Sequence, residues 1–161
     1  MKALFFGLGS IGQRHLINLL KLEPEIELFA YRSRKNSLLI HNFEEYKVGS
    51  SLSEVFNLTE IFNIDKALEI KPDLIFITNP SSLHIEFLEK SLKTNAKIFV
   101  EKPISHNLNN LRNLINYEEQ NEVKKIAVGY QFRFHPAIIK AKEILNTGEL
   151  GNIISANFYN G

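Results

Sequence analysis

The sequence predicts an α/β fold built on a doubly wound parallel sheet with helices on both faces. Short apolar runs rich in Ile, Val and Phe alternate along the chain with stretches of helical periodicity. The runs are almost continuously apolar, which is typical of parallel strands that are buried on both faces. A glycine-rich turn separates the first run from the first helical stretch, which is the order of a strand–turn–helix unit.

Five apolar runs are predicted as β-strands because each is short and is bounded by Gly, Pro, Asn or charged residues. They cover residues 3–6, 26–30, 74–77, 98–100 and 126–128. A further strand, the third in chain order, is expected within residues 55–62, where the pattern does not fix its ends.

Four stretches are predicted as helices because their apolar residues recur three and four positions apart. They cover residues 11–22, 82–94, 108–117 and 136–145. Pro24 ends the first, and Pro136 suits the first position of the last. A short helix is also expected over residues 38–46, and Asp65 is expected to cap a turn over residues 66–70.

The composition excludes several classes of function. With 19 basic and 18 acidic residues, the formal net charge of +1 argues against a nucleic-acid or membrane surface, which needs a clustered basic excess. The chain has no cysteine, which excludes disulfides and thiolate chemistry, and no metal site is predicted. No apolar run approaches the roughly 20 residues of a membrane span, and no secretory signal is recognised. One soluble, cytoplasmic domain is therefore expected from the 161 residues.

The glycine-rich turn reads Gly7-Leu8-Gly9-Ser10-Ile11-Gly12, a G-x-G-x-x-G motif placed between a strand and a helix. In this context Gly7 allows a tight turn, Gly9 lets a pyrophosphate approach the backbone, and Gly12 lets the helix pack against the strand. The positive end of the helix favours the phosphate charge. A glycine-rich turn without a ligand is the alternative. The predicted cofactor-binding residues of this turn are Gly7, Gly9, Ser10, Ile11 and Gly12.

The end of the second strand indicates which dinucleotide is bound. An acidic residue there binds the ribose 2′-hydroxyl of NAD, whereas an arginine accommodates the 2′-phosphate of NADP. This chain has Arg32, Ser33 and Arg34 and no carboxylate at that point, which favours NADP over NAD. The alternative is a solvated loop whose arginines stack on the adenine of either cofactor.

The fourth strand ends in Thr78-Asn79-Pro80, with Ser81 and Ser82 as candidate caps of the next helix. Ligands of open α/β sheets bind at the carboxyl ends of the strands, so Thr78, Asn79 and Pro80 are predicted to line the cofactor. His84 falls in the first turn of the next helix. The sequence leaves two roles open for its side chain, which are packing within the protein and lining of the cofactor site.

The fifth strand ends in Glu101-Lys102-Pro103. Glu101 is placed to accept hydrogen bonds from a ribose, and Lys102 to project a cation toward the nicotinamide. Hydride transfer from an alcohol requires that its proton be removed or its oxygen polarised, which a lysine amine can do. A surface ion pair is the alternative. Arg133 and Tyr130, after the sixth strand, are expected at the same edge.

The order and spacing of these motifs resemble the glucose-fructose oxidoreductase/inositol dehydrogenase (Gfo/Idh/MocA) family. The resemblance spans essentially the whole chain, and Glu101-Lys102-Pro103 is its most specific signature. It implies a Rossmann domain followed by an α+β domain, and NAD(P)-dependent oxidation or reduction of sugars, cyclitols or nucleotide sugars. It implies that Lys102 contacts substrate and nicotinamide, and that the bond between Lys102 and Pro103 is cis. It also places Glu101, Asn79-Pro80 and Arg133 at the cofactor.

The length departs from the family's pattern. Residues 1–148 are expected to form the Rossmann domain, and residues 149–161 to begin a second domain that is essentially missing from a truncated chain. Residues 152–161 are predicted as a strand whose exposed edge pairs with another copy or is disordered. The isolated chain is then expected to bind cofactor without efficient turnover. A non-catalytic dinucleotide-sensing module is the alternative function, whereas a methyltransferase would leave Glu101-Lys102-Pro103 unexplained.

Overall fold

The computed structural model describes residues 1–33, 51–108, 111–120 and 125–159. The strands are β1 (Lys2–Phe6), β2 (Glu27–Tyr31), β3 (Leu58–Ile61), β4 (Leu74–Ile77), β5 (Lys97–Val100) and β6 (Ile126–Val128). The helices are α1 (Ser10–Leu22), α2 (Leu52–Phe56), α3 (Ile64–Glu69), α4 (His84–Ser91), α5 (Leu111–Gln120) and α6 (Pro136–Thr147). The chain divides into two compact units, Met1–Gly129 and Tyr130–Gly161, and each is described by itself.

The first unit is a parallel sheet with the strand order β3-β2-β1-β4-β5-β6. The chain runs outward from β1 in one direction to β3 and then in the other direction from β4 to β6, so the switch point lies between β1 and β4. Phe6, the last residue of β1, pairs with Tyr31 of β2 and with Ile77 of β4. The segments that follow these three strands therefore leave the sheet at the same edge.

Two apolar clusters lie on opposite faces of the sheet, because successive strand residues point to opposite faces. On one face, Phe5 packs with residues of α1 and α2 such as Leu16 and Phe56. On the other, Phe6 packs with residues of α3, α4 and α5, among them Leu88 and Leu114. The predicted doubly wound sheet with helices on both faces is confirmed, and β3 lies inside the window predicted for it, residues 55–62.

The helix ends differ from the predicted ones where side-chain hydrogen bonds decide them. The cap of α3 is Asn63, whose side chain accepts from the backbone N–H of Lys66 at 3.0 Å, so the prediction that Asp65 caps this turn is wrong. Helix α4 ends at Ser91 rather than residue 94. Ser91 and Thr94 donate their hydroxyls to backbone carbonyls, which competes with the helical pattern.

Two other predicted boundaries also change. A 3-10 turn, Ser81–Leu83, precedes α4, and neither serine caps a helix with its side chain. Helix α5 covers residues 111–120 instead of 108–117. The helix predicted over residues 38–46 lies outside the described residues.

The second unit contains α6, which begins with Pro136 as predicted, and its cap His135 accepts from the N–H of Ala137 at 3.2 Å. The predicted strand over residues 152–161 is absent from its described part, residues 152–159. A strand exists only through pairing, and the described residues of this unit supply no neighbouring strand. Ile154 is instead 99% exposed and Phe158 83% exposed. Throughout the described residues, every helix is too short or too polar to cross a bilayer.

Candidate functional site

The glycine turn joins β1 to α1 and lies directly beside the end of β4. Gly7 has a φ of +102°, and a Cβ added to it would lie 2.6 Å from the backbone nitrogen of Asn79. A Cβ on Gly12 would overlap the carbonyl oxygen of Gly7 and lie 2.8 Å from Oγ1 of Thr78. Both glycines are therefore required by the close approach of β1, α1 and β4.

Two buried polar side chains donate hydrogen bonds to backbone carbonyls of this turn. Gln13 is fully buried and donates from Nε2 to the carbonyl of Leu8 at 2.9 Å. Thr78, also buried, donates its hydroxyl to the carbonyl of Gly7 at 2.6 Å. Thr78 thus holds the shape of the turn, while its predicted contact with a cofactor stays a prediction. Gln13 was missed by the sequence reasoning, although a glutamine on the buried face of an apolar helix was a usable signal.

The surroundings of Gly9 and Asn79 show whether a dinucleotide fits at this turn. Among the described residues, a Cβ on Gly9 would meet nothing within 4 Å, so they leave the space above this residue open. None of their side chains caps α1, whose first turn directly follows Gly9. In the described part of the chain, Oδ1 of Asn79 is buried without a hydrogen-bond partner. An open space at a helix N-terminus beside a buried free acceptor fits a pyrophosphate with its hydroxyl-bearing ribose.

His84 connects the loops that follow β4 and β5. Its side chain is 1% exposed, Nδ1 lies 2.7 Å from the carbonyl oxygen of Pro103, and Nε2 lies 2.9 Å from that of Asn79. Both ring nitrogens are thus directed at main-chain carbonyls and none is left for a ligand. This arrangement corresponds to the packing role that the sequence left open, and a contact of His84 with the cofactor stays a prediction.

Glu101 is held at the end of β5 by contacts to both carboxylate oxygens. Nε2 of His15, on α1, lies 2.8 Å from Oε1, and the backbone N–H of Lys102 donates to Oε2 at 3.1 Å. The His15 ring also stacks edge-on against Phe99 at 4.7 Å. Glu101 therefore joins α1 to the sheet edge, a role that the expectation of a ribose contact did not include.

Lys102 follows immediately and is exposed. Its bond to Pro103 is cis, as the family resemblance implied. Within the described residues, its amine has no hydrogen-bond or ionic partner. The amine is therefore free to bind a group that enters at the carboxyl edge of the sheet.

Arg32 and Ser33 follow β2 at the same edge. The backbone N–H of Arg32 donates to the carbonyl of Ile61 at 2.9 Å, and its Nε lies 3.5 Å from Oε1 of Glu60 on β3. Ser33 is exposed. The carboxylate of Glu60 was missed, because it comes from a strand that lies 28 positions further along the chain and not from the end of β2. Arg34 lies outside the described residues.

Arg133 and Tyr130 belong to the second unit. Both are exposed, and the backbone N–H of Arg133 donates to the carbonyl of Tyr130 at 3.1 Å within a 3-10 turn, Gln131–Phe134. Their expected position beside Lys102 stays a prediction.

The sheet order, the glycine turn and the open N-terminus of α1 together define a Rossmann-type domain of the class that binds NAD in oxidoreductases. The comparison with protein families agrees. Residues 1–130 match the family described as an oxidoreductase family with an NAD-binding Rossmann fold, GFO_IDH_MocA. The chain belongs to the Gfo/Idh/MocA family, as its motifs predicted.

The relatives of this chain include dehydrogenases of cyclitols. It is 24% identical to inositol 2-dehydrogenase of Salmonella typhimurium over 166 residues, which cover 99% of this chain and 46% of that protein. The structure of scyllo-inositol dehydrogenase from Lactobacillus casei with NAD(H) and scyllo-inositol matches with a TM-score of 0.74 and 22% identity, over 95% of this chain and 43% of that one. The WlbA dehydrogenase of Chromobacterium violaceum, in complex with NADH and UDP-GlcNAcA, matches with a TM-score of 0.76 and 16% identity, over 94% and 41% of the two chains. The chain thus spans less than half the length of these relatives.

Proposed function

We propose that this chain binds NADP(H) in preference to NAD(H). We further propose that the whole protein transfers a hydride between this cofactor and a sugar, cyclitol or nucleotide-sugar alcohol. The open space at Gly9 beside the unpartnered Oδ1 of Asn79 carries the cofactor part of the proposal. Arg32 and Ser33 support the preference for a 2′-phosphate. The names of the inositol dehydrogenases and the nucleotide sugar bound in the WlbA complex support the substrate class.

The residues of the chain would hold the cofactor at three points. Backbone N–H groups of Ser10 and Ile11, in the first turn of α1, face the pyrophosphate. Asn79 accepts from a ribose hydroxyl through Oδ1, and Glu101 extends that contact with its remaining lone pairs. Arg32 and Ser33 bind the 2′-phosphate. When bound, the nicotinamide supplies the acceptor or donor carbon for the hydride.

Lys102 is the proposed acid/base residue. In the oxidation direction its neutral amine takes the proton of the substrate hydroxyl as the hydride leaves the same carbon, which yields the carbonyl product and an ammonium group. In the reduction direction its ammonium group returns that proton to the oxygen. The contacts of Glu101 hold the backbone that leads into the lysine.

We further propose a cytoplasmic location, which rests on the sequence alone. Self-association through the second unit is proposed because Ile154, Phe158 and Tyr159 are exposed apolar side chains. Sedimentation velocity of the wild type and of an Ile154→Ser, Phe158→Ser variant would test it. A wild-type monomer at all concentrations would contradict it.

Titration of the chain with NADPH and NADH, followed by nucleotide fluorescence, tests cofactor binding. Saturable binding with a lower Kd for NADPH is expected. Gly9→Ala is the matched variant, since its Cβ enters open space in the protein yet occupies the place of the pyrophosphate. It should keep the thermal stability and lose at least about tenfold in affinity. Equal or tighter NADH binding would contradict the preference for NADP.

Turnover is tested in the whole protein. Lys102→Ala should abolish sugar or cyclitol oxidation if the lysine is the acid/base residue. A protein that only senses the dinucleotide would keep its output in that variant. Efficient turnover by these 161 residues alone would contradict the expectation that this chain binds the cofactor without efficient turnover.

A further inference from the structure

The side chain of Arg32 is directed at a carboxylate on the neighbouring strand. Ala30 of β2 pairs in register with Glu60 of β3, and Arg32 lies two positions after Ala30, so Arg32 and Glu60 lie on the same face of the sheet. The backbone hydrogen bond from Arg32 to Ile61 extends this pairing beyond the end of β2. Nε of Arg32 then lies 3.5 Å from Oε1 of Glu60, with the two side chains only 11% and 20% exposed.

This contact uses the inner nitrogen of the guanidinium. Within the described residues, the outer nitrogens Nη1 and Nη2 of Arg32 have no hydrogen-bond partner. Those two nitrogens form the fork that binds a phosphate in bidentate fashion. Glu60 therefore leaves the phosphate-binding edge of Arg32 open while it places a negative charge on the far side of the same group.

We propose that Glu60 is a specificity-determining residue that limits the affinity of this site for a 2′-phosphate. The inference rests on the proposed function, because it concerns the same cofactor pocket. A phosphate dianion that binds the fork of Arg32 meets a guanidinium whose charge is already balanced, and it is repelled by the carboxylate. A ribose 2′-hydroxyl carries no charge and is not repelled. Arg32 thus favours NADP, whereas Glu60 shifts the preference toward NAD.

Because the side chains of Arg32 and Glu60 are largely buried, the effect of Glu60 on the affinity for a 2′-phosphate is large enough to measure. Two unit charges about 4 Å apart interact by about 1 kcal/mol in water and by more near a protein surface, whereas a 2′-phosphate would lie further from Glu60 and be partly screened. A change of about fivefold in the ratio of affinities is the expected scale. The effect should shrink as the salt concentration rises, since screening weakens the repulsion.

Glu60→Gln is the variant that separates charge from geometry. The amide keeps an oxygen that can accept from Nε of Arg32 but removes the negative charge. Glu27→Gln is the matched control, because Glu27 is exposed at the opposite end of β2 and its loss changes the net charge equally. Circular dichroism and thermal unfolding verify that all three chains are folded.

The test compares 2′,5′-ADP with 5′-AMP by titration calorimetry, since the two probes differ only in the 2′-phosphate. Glu60→Gln should bind 2′,5′-ADP about fivefold more tightly and leave 5′-AMP unchanged, while Glu27→Gln changes neither. An unchanged or lowered ratio in Glu60→Gln, with 5′-AMP still bound, would overturn the inference and leave the proposed function standing. Failure of every chain to bind either probe would overturn both.

Discussion

Nε2 of His15 lies 2.8 Å from Oε1 of Glu101, which joins the first helix to the end of the fifth strand across 86 positions of sequence. The contact spans β4, which lies between β1 and β5 in the sheet, because α1 follows β1 and Glu101 follows β5. Lys102 is the next residue, and its own N–H donates to the same carboxylate. The position of the proposed acid/base residue therefore depends on a histidine that no part of the glycine motif includes.

A double-mutant cycle with His15→Phe and Glu101→Gln measures this contact. Phenylalanine keeps the ring that stacks on Phe99 but removes the nitrogen. Each single variant should lower the free energy of unfolding by about 1 kcal/mol, and the double variant should lose less than the sum. Urea unfolding followed by circular dichroism gives the values. Strict additivity would show that the two side chains do not interact.

His84→Phe should be among the most damaging single changes. It removes the two ring nitrogens that lie within hydrogen-bond distance of the carbonyl oxygens of Asn79 and Pro103, at a residue that is 1% exposed. At least one of these carbonyls then loses its donor, and a buried acceptor without a partner costs about 1–3 kcal/mol. His106→Phe, on an exposed loop residue, serves as the control. A thermal midpoint equal to that of this control would contradict the role assigned to His84.

Gly12→Ala and Gly9→Ala make a matched pair within one motif. Alanine is favoured over glycine in a helix by about 1 kcal/mol, yet the Cβ at position 12 would overlap Gly7 and crowd Thr78. Overpacking of this kind costs about 1–3 kcal/mol, so Gly12→Ala should be destabilised. The free energy of unfolding of Gly9→Ala should lie within about 0.5 kcal/mol of that of the wild type. Equal stability of the two variants would contradict the close packing at Gly12.

The cap of α3 tests a point on which the sequence prediction was wrong. Asn63→Ala removes the side chain that accepts from Lys66 and should cost about 1 kcal/mol. Asp65→Ala removes only a charge near the helix N-terminus and should cost about half of that or less. Equilibrium unfolding of both variants decides between the two residues. A larger loss for Asp65→Ala would restore the original assignment.

The sequence predicted what depends on local pattern and missed what depends on contacts between distant elements. Five of the six strands followed from short apolar runs, and β3 was expected only within a window of eight residues. The roles of Gly7 and Gly12 followed from their spacing. Asn and Asp both cap helices, and only Asp65 was predicted as the cap of this turn, whereas the backbone geometry makes Asn63 the cap. Glu60 became relevant to Arg32 only because β3 lies beside β2 in the sheet.

Asn79 offers a prediction in which stability and binding change in opposite directions. Its Oδ1 is buried without a partner in the described part of the chain, and an unsatisfied buried acceptor costs about 1–3 kcal/mol. Asn79→Leu has a similar shape and removes this cost, so the variant without ligand should unfold at an equal or higher urea concentration. NADPH binding should nevertheless weaken by about tenfold, because the acceptor for the ribose hydroxyl is gone. Residues retained for function often lower stability in this way. A variant that loses stability but keeps its affinity would show that Asn79 supports the fold and not the cofactor.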